Sequence, residues 1–235
     1  PEEIHAYVEG RPHPALVRRV LREEAYDLRL RERPDGAFVP VPETPVPAAD
    51  WAPERFPDRH EHALRSLLVD RLGPGWATGE AGGALRGRLA EVKERYLRRN
   101  PVDYDETTVL AYAVYHLPGY WAATGYVLDR LARADLLPQC LRVLDVGSGV
   151  GGPALALFDL LPDEAVVDYH AVEPSDAAAD AFDALVDPPT GSRVTVHRER
   201  VESFDADDPF DLVLCANVLS ELDDPAAVAR GRRVR

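Results

Sequence analysis

Cysteine, lysine and long apolar runs are what this 235-residue chain is short of. Cys140 and Cys215 are its only cysteines. Two thiols are too few for a disulfide framework or a cysteine-built metal site, and each sits in or beside an apolar stretch, so both are expected as buried thiols. No apolar run approaches the roughly 18–20 residues that a membrane span needs. The opening PEEIHAYVEG lacks the basic-then-apolar order of a secretory signal. The expectation is a cytoplasmic protein with no membrane partner. No internal repeat appears, and no low-complexity tract apart from one proline-rich stretch.

Acid is what the chain has in excess. The formal net charge is −14, and Lys93 is the only lysine among 27 basic residues. Residues 1–100 carry 17 acids and 17 bases, so the remaining 24 acids against 10 bases all fall in residues 101–235. A surface this acidic repels nucleic-acid phosphate in ordinary salt, which argues against an electrostatic clamp on RNA and leaves DNA unexpected. The balance resembles that of salt-adapted proteins, whose charges are screened over a few ångströms in molar salt. With 46% apolar residues the chain can build an ordinary globular core.

Periodicity divides the chain. Leu16, Val20 and Leu21, with Arg18, Arg19, Arg22, Glu23 and Glu24 between, spell an amphipathic helix stopped by Pro34-Asp35-Gly36. Seven prolines in residues 34–57 exclude helix interior and central strand, which leaves an extended linker or wrapping arm. Two further helices end at Gly73-Pro74-Gly75 and at Asn100-Pro101, and residues 105–137 form two aromatic-rich helical pieces divided at Pro118-Gly119. From residue 141, β-branched runs alternate with helical ones, the texture of βαβ units and a doubly wound parallel α/β sheet. Four strands are countable, where such a sheet normally has five to seven, so the domain is expected to be incomplete at its carboxyl end. The expected division is a mainly helical region 1–100, with the arm 34–57, and a domain 101–235 with a helical lead-in 105–137 and a core 141–222.

The chemistry-bearing stretch is LRVLDVGSGVGG, residues 141–152. A strand that turns sharply into a helix while a ligand approaches its backbone needs glycine, because a Cβ would block the turn or the ligand. Gly147, Gly149 and Gly152 fit the dinucleotide fingerprint, and Asp145, Gly147, Gly149 and Gly151 fit a second pattern. An acid two residues before the first glycine repels phosphate and attracts an ammonium or sulfonium group. Glu173, 22 residues after Gly151, can accept ribose hydroxyls under either pattern.

The second pattern closely resembles the first motif of the class I S-adenosylmethionine-dependent methyltransferases, and VESFDADDPFDLVLCANVLSEL resembles the third and fourth motifs, so the resemblance covers residues 141–222. It implies a Rossmann-like fold and S-adenosylmethionine as cofactor. Asp145, Gly147, Gly149 and Gly151 would stand at the methionine part, Glu173 at the ribose, and Val201 and Glu202 at the adenine edge. Asn217 would lie under the sulfonium, or else cap the strand end. The segment LAYAVYHLPGYWAATGYVLDRL together with Ser220-Glu221-Leu222 resembles the methyltransferase-like family associated with the small ribosomal subunit of mitochondria and its prokaryotic relatives. That resemblance implies action on small-subunit ribosomal RNA or assembly of that particle. The alternatives are an inactive cofactor-binding assembly factor and an NAD(P)-dependent oxidoreductase. Family members carry an iron–sulfur cysteine set further on, which this sequence does not reach.

Other candidates read as structural. Cys215 follows Leu214 rather than the proline that precedes a cysteine nucleophile, so a buried strand thiol is expected. The Asp/Asn-Pro-Pro-aromatic signature of amino-group methyltransferases is absent. His60-Glu61-His62 places its rings on different helix faces, which reads as a solvated face rather than a metal site. His116 reads as a core histidine. Tyr112, Tyr115, Tyr120, Trp121 and Tyr126, at helical spacing, read as core aromatics rather than stacking platforms.

Overall fold

In the computed structural model, which describes residues 4–98, 102–206, 208–219 and 221–222, a short 3-10 turn at Ile4–Tyr7 precedes α1 (Pro14–Glu23) and a two-stranded antiparallel hairpin, β1 (Leu30–Glu32) and β2 (Phe38–Pro40). Four helices follow: α2 (Asp58–Leu72), α3 (Gly79–Leu97), α4 (Glu106–Tyr115) and α5 (Leu117–Arg133). The alternating half then runs β3 (Cys140–Val146), α6 (Gly152–Leu160), β4 (Val166–Val172), α7 (Asp176–Leu185), β5 (Arg193–His197) and β6 (Leu212–Leu214). Local chemistry sets the helix starts. Asp105 accepts a hydrogen bond from the Thr108 amide (2.8 Å) and Ser175 from the Ala178 amide (3.2 Å), each side chain satisfying an amide that a first helical turn leaves free.

The four later strands pair in parallel in the order β5-β4-β3-β6, as expected for a Rossmann-like domain. The two central strands, β3 and β4, are almost continuously buried and mainly apolar in sequence, interrupted by Arg142 and Asp145 in β3 and by Asp168 and His170 in β4. On one face Leu141, Val143, Val167, Tyr169 and Ala171 share a single core with residues of α2 to α7. Leu64, Leu67, Leu68 and Leu85 belong to that core, so the apolar packing is continuous across residue 100. On the other face Leu144, Val146 and Val172 pack against Val201, Phe204 and Phe210 from the segment after β5, while Cys140 and Val166 pack against Ala25 and Val41 from the amino-terminal segment.

This second face also carries a buried charge network. Asp168 is 1% exposed and receives Arg193 Nε at 2.9 Å, Arg142 Nε at 3.1 Å and His170 Nε2 at 3.1 Å. Burial disfavours its charge, but the bonds from His170 and Arg193 outweigh that and hold its carboxyl well below the usual carboxylate range.

The proline-rich stretch lies against α5 and the chain that follows it. Val46 donates its amide to the Leu137 carbonyl, and Trp51 lays its ring 4.9 Å from Trp121 and bonds the Ala122 carbonyl at 3.1 Å. Three expectations are corrected. His60 is buried rather than solvated: its Nε2 lies 2.8 and 3.0 Å from the two carboxylate oxygens of Asp159, which also accepts from Trp121 Nε1 and Arg59, so it docks α2 on α6. Tyr115 and Tyr126 are exposed, whereas Trp121 is core and Tyr112 and Tyr120 are half-buried. Cys215 lies one residue past β6 and is partly buried, while Cys140 is buried, its thiol 3.6 Å from the Tyr26 carbonyl.

Two helical glycines separate propensity from packing. Alanine favours a helix interior over glycine by about 1 kcal/mol. A Cβ on Gly87 meets nothing within 4 Å, but one on Gly125 falls 2.1 Å from the Trp51 ring. Displacing that ring breaks its bond to Ala122 and its contact with Trp121, and overpacking of this kind costs about 1–3 kcal/mol. Denaturant titrations should find Gly87→Ala more stable than the parent by about 0.5–1 kcal/mol and Gly125→Ala less stable by about 1–2 kcal/mol.

Candidate functional site

β3 delivers the chain to the carboxyl edge of the sheet, where Gly147 (φ 64°), Gly149 (φ 54°) and Gly151 (φ 91°) place three left-handed residues in five. L-residues resist that conformation, but the three glycines are needed for different reasons. A Cβ on Gly147 would stand 2.4 Å from Val218 Cγ2, and one on Gly151 would stand 2.4 Å from Val186 Cγ2 and 3.1 Å from the Phe182 ring. Those two positions are glycine because the protein packs against them. A Cβ on Gly149 would meet nothing within 4 Å. Open space over a left-handed backbone makes Gly149 the point where the loop is accessible to a ligand.

Below the loop, Asp145 is wholly buried. Tyr169 of β4 donates its hydroxyl to Asp145 Oδ2 at 2.7 Å, while Oδ1 and the neighbouring Ser148 Oγ are buried without a hydrogen-bond partner among the described residues. Burial pushes the Asp145 carboxyl up to about 7, the Tyr169 bond opposes that rise, and Glu173 adds to it. Glu173, one residue past β4, accepts from the Gly149 amide and from the Ser175 amide, both at 2.9 Å. Burial raises its pKa and the two amides lower it, with a net rise to which the charge of Glu221 contributes. Two orphaned polar atoms and an open glycine at one loop fit a polar ligand with hydrogen-bonding groups, such as the methionine end of S-adenosylmethionine.

The other expected site residues scatter. Val201 buries its side chain in the second-face core, so only its backbone can face a ligand, and Glu202 is exposed beside Arg200 at 3.6 Å. Asn217 is exposed with φ 61°, the left-handed turn conformation that asparagine tolerates, which favours the strand-end role over the sulfonium one. Of Ser220-Glu221-Leu222, Ser220 lies outside the described residues.

Residues that the motifs did not mark complete the site. Tyr169 lies two positions before Ala171, the register partner of Asp145, on the same face of the sheet. Alternation along the two strands was the available signal. Ser175 donates its hydroxyl to the Tyr104 carbonyl at 2.9 Å, and Glu221 accepts from the hydroxyls of Tyr104 (2.9 Å) and Tyr96 (2.6 Å). These contacts span 71 to 125 residues, and no local pattern announces them.

A family described as a methyltransferase domain matches residues 144–233. That stretch is thus similar in sequence to a methyltransferase domain. Residues 1–34 match a different family, the N-terminal domain of a domain of unknown function (DUF8157). The curated protein "Ribosomal RNA small subunit methyltransferase G" of Parvibaculum lavamentivorans is 34% identical over 108 residues, covering 46% of this chain and 46% of its own length. The chain thus spans about half the length of the curated relative it matches. Among solved structures, an S-adenosylmethionine-dependent methyltransferase from Clostridium acetobutylicum is similar over 55% of this chain and 42% of its own, at 14% identity and a TM-score of 0.29. The plantazolicin methyltransferase BpumL, in complex with SAH, is similar over 73% and 55%, at 14% identity and a TM-score of 0.35.

The electrostatics of Asp145 give this domain a pH signature. Its folded pKa, about 7, lies above the roughly 3.9 of an unfolded aspartate. The folded state therefore prefers the protonated carboxyl. That stability is fully present below pH 4 and is lost as pH rises through 7. Asp145→Asn removes the titrating group, so the stability of the variant relative to the parent should improve between pH 4 and pH 8 by on the order of 3 kcal/mol, measured by chemical denaturation across that range. A difference that stays flat with pH would show that Asp145 is ionised throughout.

Proposed function

We propose that this chain is an S-adenosylmethionine-dependent methyltransferase that acts on, or helps to assemble, small-subunit ribosomal RNA. The observation that carries the cofactor half is the glycine loop: Gly149 open to ligand, with the orphaned Asp145 Oδ1 and Ser148 Oγ beneath it and Glu173 bound to its backbone. Asp145 and Ser148 would hold the methionine part and Glu173 the ribose hydroxyls, with the Val201 backbone and Glu202 toward the adenine. When bound, the cofactor supplies an electrophilic methyl group. The chain's own contribution is to position an acceptor in line with it, which can provide most of the rate without a dedicated acid–base pair. The ribosomal half is supported by the name of the curated relative and by the likeness of residues 105–222 to the ribosome-associated family.

A second reading, a cofactor-binding platform for ribosome assembly without turnover, is favoured by the acid excess of residues 101–235, which suits protein contacts better than phosphate contacts. The oxidoreductase reading is opposed by Asp145, a carboxylate below the loop on which a pyrophosphate would sit.

Titration calorimetry at high salt with S-adenosylmethionine and, separately, NAD tests the proposal. The methyl donor should bind, and Asp145→Ala and Glu173→Ala should each weaken it by about tenfold or more, the range for hydrogen bonds to a charged partner. Binding of NAD alone would overturn the reading. Binding of the methyl donor with no label transferred from [methyl-3H]S-adenosylmethionine to small ribosomal subunits would move it to the assembly platform.

A further inference from the structure

Aromatic residues from three parts of the chain meet above the glycine loop. Tyr120 packs on Gly152, where a Cβ would lie 3.2 Å from the Tyr120 Cβ. His116 stacks on Tyr120 at 5.2 Å and 19°, Tyr112 lies 4.5 Å from His116, and Tyr104 meets Tyr112 edge-on at 5.7 Å. This ladder of half-buried rings leads to Glu221, whose Oε1 accepts from Tyr104 and Tyr96 while those two hydroxyls lie 2.7 Å from each other. Burial, reinforced by the charge of Glu221, holds the Tyr104 and Tyr120 hydroxyls in their protonated, donor form. Glu221 in turn belongs to the loop after β6: its amide bonds the Val218 carbonyl, and Val218 is the residue that packs on Gly147. The carboxylate is exposed, and its charge reaches Glu173.

We propose that this cluster is the methyl-acceptor side of the site, with Glu221 receiving an N–H of a planar nitrogen acceptor that lies against the Tyr112–His116–Tyr120 rings. The proposal rests on the S-adenosylmethionine reading above. An exposed carboxylate favours an N–H or ammonium donor and repels an acceptor that arrives as an oxyanion or thiolate. Flat aromatic faces favour a planar ring or a cation over an aliphatic hydroxyl. In the transfer, the acceptor nitrogen lone pair forms the new N–CH3 bond as the C–S bond breaks and its electron pair stays on sulfur, and the displaced N–H proton passes to the Glu221 carboxylate.

The test needs no knowledge of the natural acceptor. Sinefungin carries an amine where the donor carries its methyl, and S-adenosylhomocysteine carries nothing there. The parent should bind sinefungin about tenfold more tightly than S-adenosylhomocysteine, in line with one charge-assisted hydrogen bond. Glu221→Gln should bring the two affinities within about twofold of each other and leave that for S-adenosylhomocysteine within about twofold of the parent value. If Glu221 only ties the loop to α3, the substitution will weaken both ligands equally or neither, and the proposal falls. A parent that binds S-adenosylhomocysteine with no preference for the amine overturns it without any variant. A parent that binds neither ligand overturns the cofactor reading and this proposal together.

Discussion

The glycine loop keeps its shape because one carboxylate holds it. Three left-handed glycines in five residues are entropically expensive to order, and a loop of that kind needs a fixed partner. Glu173 provides one from the end of the adjacent strand by accepting the Gly149 and Ser175 amides. A carboxylate offers about four acceptor sites, so two remain for the hydroxyls of a sugar. In the proposed function, the residue that orders the loop is also the one that would hold the ribose. Through Ser175 and the Tyr104 carbonyl, the same hydrogen-bond chain reaches the tyrosine cluster. Cofactor end and acceptor end are parts of one network.

What was legible in the sequence is what depends on short range. The strand-to-glycine-to-helix turn, Asp145 and Glu173 at the strand ends and the βαβ alternation all follow from contiguous residues, whereas the strand order β5-β4-β3-β6 is set by long-range pairing that no contiguous stretch announces. The proline arm was legible because seven prolines permit little else, although its short hairpin with β1 was not. Side-chain partners at long range were hidden. His60 looked solvated because its own helix gives no reason to bury it; the reason is Asp159, 99 residues away. Tyr115 and Tyr126 looked like core because α4 and α5 carry rings on several faces, and periodicity cannot rank faces that are all apolar. Gly147, Gly149 and Gly151 were legible as a set, but which of them admits a ligand depends on Val218 and Val186, and only packing reveals it.

The charge excess looks different once the site is in view. Spread over residues 101–235 it reads as salt adaptation, but three of those acids converge on one end of the sheet: Asp145 wholly buried, Glu173 nearly so and Glu221 at the mouth. Burial and mutual repulsion both work against ionising Asp145 and Glu173, and the protein offsets this with one tyrosine hydroxyl and two backbone amides rather than with arginines. Asp168, on the opposite face, shows the other solution: Arg142, Arg193 and His170 surround it and hold it ionised. Two buried aspartates three residues apart in strand register, and so on opposite faces of the sheet, thus meet opposite fates. A carboxylate neutralised from within contributes to the fold and has nothing left to offer a ligand. One left under-compensated is costly until a cation arrives, and S-adenosylmethionine brings two positive centres, its ammonium and its sulfonium. The uneven treatment of these acids is therefore an argument for a cationic ligand at this edge of the sheet that is independent of any motif.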